Sequence, residues 1–337
     1  MTSSAPRIAL TFGDFSGIGP ELAVRLLADP ENLRRAQVIA LVSPAELAAA
    51  SEAAGVEVPV SDHPTTGAVH LVGSDLQDIE VPRCTTTVEA GTRVIRDLEK
   101  ALALYSADEA DAIMFLPLNK TSLHLAGMHE DDELRWFAKQ LRFEGFTSEV
   151  NVVPDLITSR VTSHIPISEV AANISAARVR QAIGLLDEVL RGSGVAAPRI
   201  AVAALNPHAG ENGQFGREEI DHIAPGVELA RKVDEVDAKG PFPSDTIFIK
   251  AKNGGYDGVV TMYHDQGQIA MKLMSFSDGV TVQGGLPVPI TTPAHGTAYE
   301  IVGKNVASIG PSQRAFDIAV GLGEQTAVRR PDADTKA

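Results

Sequence analysis

Short apolar segments that alternate with helical segments are the feature that most constrains the fold of this chain. Residues 7–11 and 37–42 are apolar runs typical of buried strands, and a helix signal follows each of them. Pro20 suits the first turn of one helix, and Ser43 with Pro44 suits the start of the next. This strand–helix–strand–helix order predicts an α/β fold in which helices cover a sheet.

The same alternation continues along the rest of the chain. Further strands or extended segments are predicted at 112–116, 150–157, 160–163, 199–205 and 258–263. Helices are predicted at 90–107, 132–141 and 315–322, residues 167–190 are expected to be mostly helical, and 294–304 to form a turn and a helix. In open α/β sheets, ligands bind at the carboxyl ends of the strands, so polar residues just after these strands are candidates for a site.

Three histidines follow predicted strands in this way. His164 comes after an extended segment, and His208 and His264 come after the apolar strands at 199–205 and 258–263. Imidazole is the commonest protein ligand for divalent transition metals, and three imidazoles leave coordination positions open for a substrate. The pattern therefore indicates a metal site, although three unrelated polar histidines would give the same spacing.

Charge and cysteine content exclude several classes of function. The chain has 337 residues and a formal net charge of −15, which opposes binding to nucleic acid and to an anionic membrane surface. Cys84 is the single cysteine, so an internal disulfide and a cysteine-based metal cluster are impossible. No apolar run approaches the length of a membrane span. These properties favour a cytoplasmic enzyme of small molecules.

Several local sequences resemble those of the 4-hydroxythreonine-4-phosphate dehydrogenase family of vitamin B6 biosynthesis and its relatives. The matching segments occur in the family's order and cover roughly residues 8–323. They are Lys120 and residues 13–21, 205–211, 220–223, 240–246, 263–267 and 295–298.

The resemblance implies a fold with two α/β/α domains and a cleft between them, like that of isocitrate and isopropylmalate dehydrogenases. Residues 1–130 plus about 295–337 would form a first domain with a cofactor loop, and about 131–294 a second with the metal ligands and dimer contacts. It also implies a homodimer with a shared active site. In the family, His164, His208 and His264 match the ligands of a divalent metal, Zn, Mg, Mn or Co, and the third comes from the partner subunit.

The resemblance further implies NAD-dependent oxidation of a secondary alcohol beta to a carboxylate, followed by loss of carbon dioxide from the keto acid. Lys272, Asp245 and Asp265 are the expected catalytic residues. The two aspartates would supplement the metal shell or orient His264, and Asp265 also fits a plain turn. The expected substrate-binding residues are Lys120, Asn206, Lys272 and Thr281.

Residues 295–307 are similar to the cofactor segment of isocitrate and isopropylmalate dehydrogenases. The residues expected to bind NAD are therefore Gly284, Leu286, His295, Gly296, Thr297 and Asn305. Asn305 and the acidic charge balance offer no obvious clamp for a 2′-phosphate, which usually requires arginine, and this favours NAD over NADP.

Two departures from the family pattern concern the substrate phosphate. Glu133 and Leu134 stand where the family has a phosphate-holding His-Thr, in an acidic stretch at 130–133, and Ile290 stands where it has an arginine. Both changes remove phosphate affinity. We therefore expect a related enzyme with an altered, unphosphorylated substrate, such as a cyclic dihydrodiol carboxylate.

Three alternatives stay open at this point. The chain could be a true 4-hydroxythreonine-4-phosphate dehydrogenase, with His129, Arg135 or Lys139 taking over the phosphate. It could be a phosphate acyltransferase-like enzyme, for which three metal-type histidines would be superfluous. It could also be a non-catalytic small-molecule binding protein, which loss of Lys272 or a ligand histidine would have favoured.

Overall fold

The strands account for the apolar segments found in the sequence. The computed structural model describes residues 5–74, 79–274 and 279–329, and within them it contains twelve strands. They are β1 (Arg7–Thr11), β2 (Gln37–Leu41), β3 (Val60–Ser61), β4 (Val69–Leu71), β5 (Ala112–Phe115), β6 (Ser148–Val153), β7 (Leu156–Arg160), β8 (Arg199–Ala203), β9 (Asp237–Phe242), β10 (Gly258–Thr261), β11 (Val280–Gly284) and β12 (Ile290–Pro293).

Helices connect most of these strands. They are α1 (Gly19–Leu27), α2 (Pro30–Arg35), α3 (Pro44–Ala54), α4 (Val88–Ser106), α5 (Lys120–Leu125), α6 (Glu133–Gln140), α7 (Ala176–Gly192), α8 (Ala224–Val233), α9 (Ser244–Lys252), α10 (His264–Met274) and α11 (Gly310–Arg329). No helix in the described part of the chain is long and apolar enough to cross a membrane.

The chain divides into two compact units. The first comprises residues 1–130 and 287–337, and the second comprises residues 131–286. The predicted α/β class is confirmed by this mixture of strands and connecting helices.

In the first unit, six strands pair in the order β3-β4-β2-β1-β5-β12. All of these pairs are parallel. The centre of β1 consists of Ile8, Ala9 and Leu10, which are fully buried. A parallel strand covered by helices on both faces needs apolar residues at every position, which explains the continuous apolar run in the sequence.

In the second unit, the order is β11-β6-β7-β10-β8-β9. Strands β7, β10, β8 and β9 run parallel, whereas β6 pairs antiparallel with both β7 and β11. The parallel part carries the strands at 199–203 and 258–261, which the sequence analysis identified by their apolar residues.

One secondary-structure prediction was wrong in this unit, and a second placed the start of a mostly helical segment too early. Residues 150–157 do not form one extended segment, because the chain turns at Pro154 and Asp155 between β6 and β7. The segment 167–175 is not part of a long helix but contains two short 3₁₀ turns. Helix α7 begins only after Ser175, whose hydroxyl accepts the Arg178 N–H and caps the helix.

Candidate active site

The three predicted histidines all follow neighbouring parallel strands of the second unit. β10 pairs with β7 on one side and with β8 on the other. His164 follows β7, His264 follows β10, and His208 follows β8. Carboxyl ends of parallel strands meet at one edge of a sheet, so the topology directs all three segments to the same edge.

His164 and His264 lie side by side. Their ring centroids are 5.5 Å apart, with an angle of 46° between the ring planes. Each side chain is 39 % exposed, so both rings are accessible from solvent. The structure therefore places two imidazoles next to each other in one chain.

A carboxylate holds each of these rings by the same nitrogen. His164 Nδ1 is 2.8 Å from Asp132 Oδ2, and His264 Nδ1 is 2.7 Å from Asp265 Oδ1. A carboxylate at Nδ1 favours the tautomer with its proton there, which leaves the Nε2 lone pair free to bind a cation. This is the arrangement in which proteins commonly present histidine to a metal.

Asp132 has a second role in the local structure. Its other oxygen accepts the Arg135 N–H at 2.7 Å and so caps the start of α6. The side chain is buried, with 4 % of its surface exposed. Asp132 is thus fixed at both oxygens, and it holds His164 in one orientation.

His208 sits on an unusual backbone. Residues 208–212 all have positive φ angles, between 42° and 79°, and four of them are not glycine. Non-glycine residues rarely adopt this left-handed conformation, and strain of this kind is found at functional sites. The His208 side chain is 73 % exposed, with Nδ1 4.0 Å from Glu211 Oε2. Among the residues that the structure describes, no three metal-binding side chains come together in one chain.

Asn206, a predicted substrate residue, has its amide donors already engaged. Its Nδ2 donates to Glu218 Oε2 at 2.7 Å and to Glu219 Oε2 at 2.9 Å. Glu219 also accepts the backbone N–H groups of Leu205 and Asn206 through Oε1. These bonds fix the turn that leads from β8 into the His208 segment.

Asp245 and Asp265 line the same groove between α9 and α10. The groove has a volume of about 470 Å³ and is otherwise mostly apolar, with Phe248, Ile249 and Ile269 among its lining residues. Both aspartates are exposed.

Lys272 lies on the α10 helix, about two turns beyond His264, and is exposed. The N-terminal end of α10 is tied to two strand ends by Gln266. That side chain accepts the Met262 N–H at 2.7 Å and donates to the Ala204 carbonyl at 2.8 Å. The helix that bears His264 and Lys272 is therefore held firmly against β10 and β8.

A partly buried polar network, which has no signal in the sequence, connects several of these elements. Arg160, 4 % exposed, forms an ion pair with Glu149 and donates to Asn151 Oδ1 at 2.9 Å. Asn151 also accepts from Gln268 on α10 at 2.7 Å and donates to Thr281 Oγ1 at 3.3 Å. Thr281, a predicted substrate residue, is thereby joined to the segment that precedes His164.

The predicted cofactor residues lie in both units. In the second, Gly284 is buried, and a Cβ atom there would lie 2.8 Å from both Leu185 and the Ser148 carbonyl oxygen. Packing alone therefore requires glycine at that position. Leu286 is half-buried.

In the first unit, a turn after β12 carries the half-buried His295 and the exposed Gly296. Burial lowers the pKa of His295, and its Nδ1 lies 3.2 Å from the Gly296 carbonyl oxygen. Gly296 is exposed, with no heavy atom within 4 Å of a Cβ position there. Thr297 is buried, and Asn305 donates to the Ala53 carbonyl oxygen at 2.8 Å. Lys120, also in this unit, is the exposed first residue of α5.

Asp132 could have been found by a helix signal, because an aspartate before a helical segment is a typical N-cap. Its contact with His164, 32 residues away, has no sequence signal. Arg160 is preceded by Ser159 and followed by Val161, and nothing in that pattern marks it as the centre of a partly buried network.

Comparisons with a family model and with a known relative indicate the same family. The family model for pyridoxal phosphate biosynthetic protein PdxA matches residues 23–319. A putative 4-hydroxythreonine-4-phosphate dehydrogenase 2 of Pseudomonas aeruginosa is 49% identical over an alignment of 335 residues, which covers 96% of this chain and 99% of that protein.

Several solved structures are also similar to this chain. The crystal structure of 4-hydroxythreonine-4-phosphate dehydrogenase from Klebsiella pneumoniae has a TM-score of 0.78 and 33% identity, covering 96% of this chain and 100% of that one. A terephthalate 1,2-cis-dihydrodiol dehydrogenase from Burkholderia xenovorans has a TM-score of 0.71 and 25% identity, covering 92% and 96%. A beta-decarboxylating dehydrogenase from Thermococcus kodakarensis, at 13% identity and a TM-score of 0.52 with 91% and 80% covered, shares the fold alone.

These likenesses confirm the predicted resemblance and the wider fold group. With a family model that spans most of its length and a relative at 49% identity, the chain belongs to the PdxA family of dehydrogenases.

Proposed function

We propose that this protein is a divalent-metal- and NAD-dependent dehydrogenase that oxidises a β-hydroxy carboxylate and releases carbon dioxide from the keto acid. The observation that carries the proposal is the pair of adjacent imidazoles, His164 and His264, each held by a carboxylate at Nδ1. Membership in a family of dehydrogenases supports an oxidoreductase acting on a CH–OH group.

The donor set fits a divalent cation. The free Nε2 atoms of His164 and His264 are neutral nitrogen ligands, which suit Zn, Mn or Co and, with substrate oxygens, Mg. When bound, such a cation would supply Lewis acidity toward the substrate hydroxyl and carboxylate, and NAD would accept the hydride. Asp132 and Asp265 keep the two rings oriented, so ring reorganisation adds no cost on binding.

We also propose roles for other residues in proton transfer, substrate binding and NAD binding. Lys272, on the same helix as His264, would contact the substrate and serve the proton transfers, with Asp245 as a further polar group on the neighbouring helix. Lys120, Asn206 and Thr281 would bind substrate. The turn at His295 and Gly296, with Thr297, Asn305, Gly284 and Leu286, would bind NAD.

We further propose a homodimer in which the subunits complete each other's metal site. Within one chain, His164 and His264 are adjacent, while His208 stands on its own strained turn. The resemblance implies that the ligand matching His264 comes from the partner subunit, whereas within one chain it is His208 that stands apart from the other two. A shared site would bring the three imidazoles together on one cation.

The substrate is proposed to be unphosphorylated. Ile290 is fully buried in β12 and offers no polar group to a phosphate. Glu133, in the first turn of α6, adds negative charge beside Asp132. Loss of two charged phosphate partners would cost about 1.5–3 kcal/mol each.

Two of the similar proteins are named for different classes of substrate. The Pseudomonas relative is named for a phosphorylated substrate, and the Burkholderia structure for a cyclic dihydrodiol. The absence of an arginine at position 290 favours an unphosphorylated substrate, and a cyclic dihydrodiol carboxylate is one candidate of that kind.

The test is a screen for NAD reduction over β-hydroxy acids with and without a phosphate, before and after chelation. The proposal expects turnover that chelation abolishes, and a higher specificity constant for an unphosphorylated acid. If 4-phosphohydroxythreonine exceeds every unphosphorylated acid, the substrate assignment is wrong and the biosynthetic reaction takes its place. If chelation leaves turnover intact, the metal assignment is wrong.

A further inference from the structure

The turn at His295 and Gly296 is followed by a strained residue. Ala298 has φ 45° and ψ 57°, which is the left-handed region that a residue with a Cβ atom adopts at a cost. Strained backbone persists only where surrounding contacts enforce it. The contacts that hold this turn therefore decide what it presents to solvent.

The turn is docked on the loop between β1 and α1, within the same unit. Ile18 N–H donates to the Thr297 carbonyl oxygen at 3.1 Å. Gly17 lies so close to Thr297 that a Cβ atom at position 17 would be 2.6 Å from the Thr297 Cβ. These contacts fix the backbone on the N-terminal side of Ala298.

On the C-terminal side of Ala298, a series of hydrogen-bonded hydroxyl groups fixes the backbone. The Tyr299 hydroxyl is 3.0 Å from Ser16 Oγ, and Ser16 Oγ is 2.5 Å from Asp14 Oδ1. Because serine has one hydroxyl proton and a carboxylate can only accept, Ser16 donates to Asp14 and Tyr299 donates to Ser16.

The inner end of this series of hydroxyl groups is buried. Asp14 and Ser16 are both fully buried, and Asp14 Oδ1 also accepts the Ser16 backbone N–H at 2.8 Å. Hydrogen bonds in series polarise one another, so the three groups act as a unit. Tyr299 is thereby anchored to the buried Asp14 through its hydroxyl and that of Ser16.

We propose that Tyr299 is a positioning residue for the cofactor turn, acting through Ser16 and Asp14 to hold His295 and Gly296 in the conformation that binds the dinucleotide. The inference rests on the proposed function, since it takes NAD as the ligand of this turn. Tyr299 acts through the conformation of the turn, and its hydroxyl is committed to Ser16.

The test compares Tyr299→Phe with the wild-type protein by titration with NAD. The ring is kept and one hydrogen bond is lost, so the Kd for NAD is expected to rise about two- to tenfold. The KM for the hydroxy acid stays unchanged. Tyr256→Phe is the matched control, because Tyr256 packs against Phe242 in the core of the other unit, and its Kd for NAD stays at the wild-type value.

A double-mutant cycle separates positioning from general weakening. If Tyr299 acts through Ser16, adding Ser16→Ala to Tyr299→Phe raises the Kd no further than Ser16→Ala does alone. Fully additive effects, or a Tyr299→Phe protein that binds NAD like the wild type, overturn the inference. If the wild-type protein binds no nicotinamide cofactor, the proposed function fails, and this inference fails with it.

Discussion

Replacing Gly296 with alanine tests whether glycine at this position is required for folding or for binding a ligand. The position is exposed, its φ angle is not positive, and no heavy atom lies within 4 Å of the new methyl group. Nothing in the chain's own packing therefore requires glycine. A ligand whose atoms approach the backbone closely would require it.

The expected effects on stability and on binding have opposite signs. Alanine restricts the unfolded chain, so Gly296→Ala should stabilise the fold by about 0.4–1 kcal/mol. That change raises the midpoint of thermal unfolding by no more than about 2–4 °C in a chain of this size. Crowding a methyl group against a bound dinucleotide costs about 1–3 kcal/mol. The Kd for NAD should then rise roughly 5- to 150-fold.

Calorimetric titration with NAD and thermal unfolding of the same preparations measure both effects. Gly184→Ala on α7 is the control, because that glycine also has ordinary backbone angles and open space around its Cβ position. It should gain similar stability and bind NAD like the wild type. A Gly296→Ala protein with a wild-type Kd for NAD would refute the reasoning that the cofactor covers this turn.

Three further predictions concern the metal and the cofactor. Asp132→Asn should weaken binding of Zn²⁺ to the apoprotein by about 10- to 100-fold, because His164 loses the carboxylate that orients it. Competition with a chelator measures this affinity. An unchanged affinity would show that Asp132 does not support the site. Inactive His208→Ala and His264→Ala proteins should regain part of the activity when mixed and allowed to exchange subunits, whereas no recovery after demonstrated exchange would mean that each site lies within one chain. Steady-state kinetics should show a higher specificity constant with NAD than with NADP, and the reverse order would contradict the assignment from Asn305.

The parallel strands could be predicted from the sequence because burial on both faces leaves an unbroken apolar signal. β1 and β2 were found with correct starts at Arg7 and Gln37, and the predicted strands at 199–205 and 258–263 extended only two residues past β8 and β10. The antiparallel pair β6 and β7 was missed as a pair. Its strands are separated by only Pro154 and Asp155, and the apolar residues on both sides of that turn read as one run.

The candidate site was predictable to the level of residue type and strand end. His164 and His264 were selected because each follows a strand, and the structure places their rings 5.5 Å apart. Asp132 was assigned to an acidic stretch that would repel phosphate, yet it is buried against His164 and caps α6. A contact between residues 32 positions apart depends on the tertiary fold, so no local pattern could reveal it.

The strained turns could not be predicted from the sequence either. Ala298 and Ala209 are ordinary residues in left-handed conformations, which the sequence would assign to glycine. At Ala298 the contacts that enforce this conformation come from a distant segment, as the bond between Ile18 and Thr297 shows. Tertiary packing therefore overrides local propensity at that turn.

The most direct test of the metal site is the position of a metal in crystals soaked with Zn²⁺ or Mn²⁺, located by anomalous diffraction. We expect one strong site per subunit, with Zn²⁺ about 2.0–2.1 Å from Nε2 of both His164 and His264, and with the carboxylates still at Nδ1. A metal bound elsewhere, or bound to neither Nε2 atom at saturating concentration, would contradict this expectation.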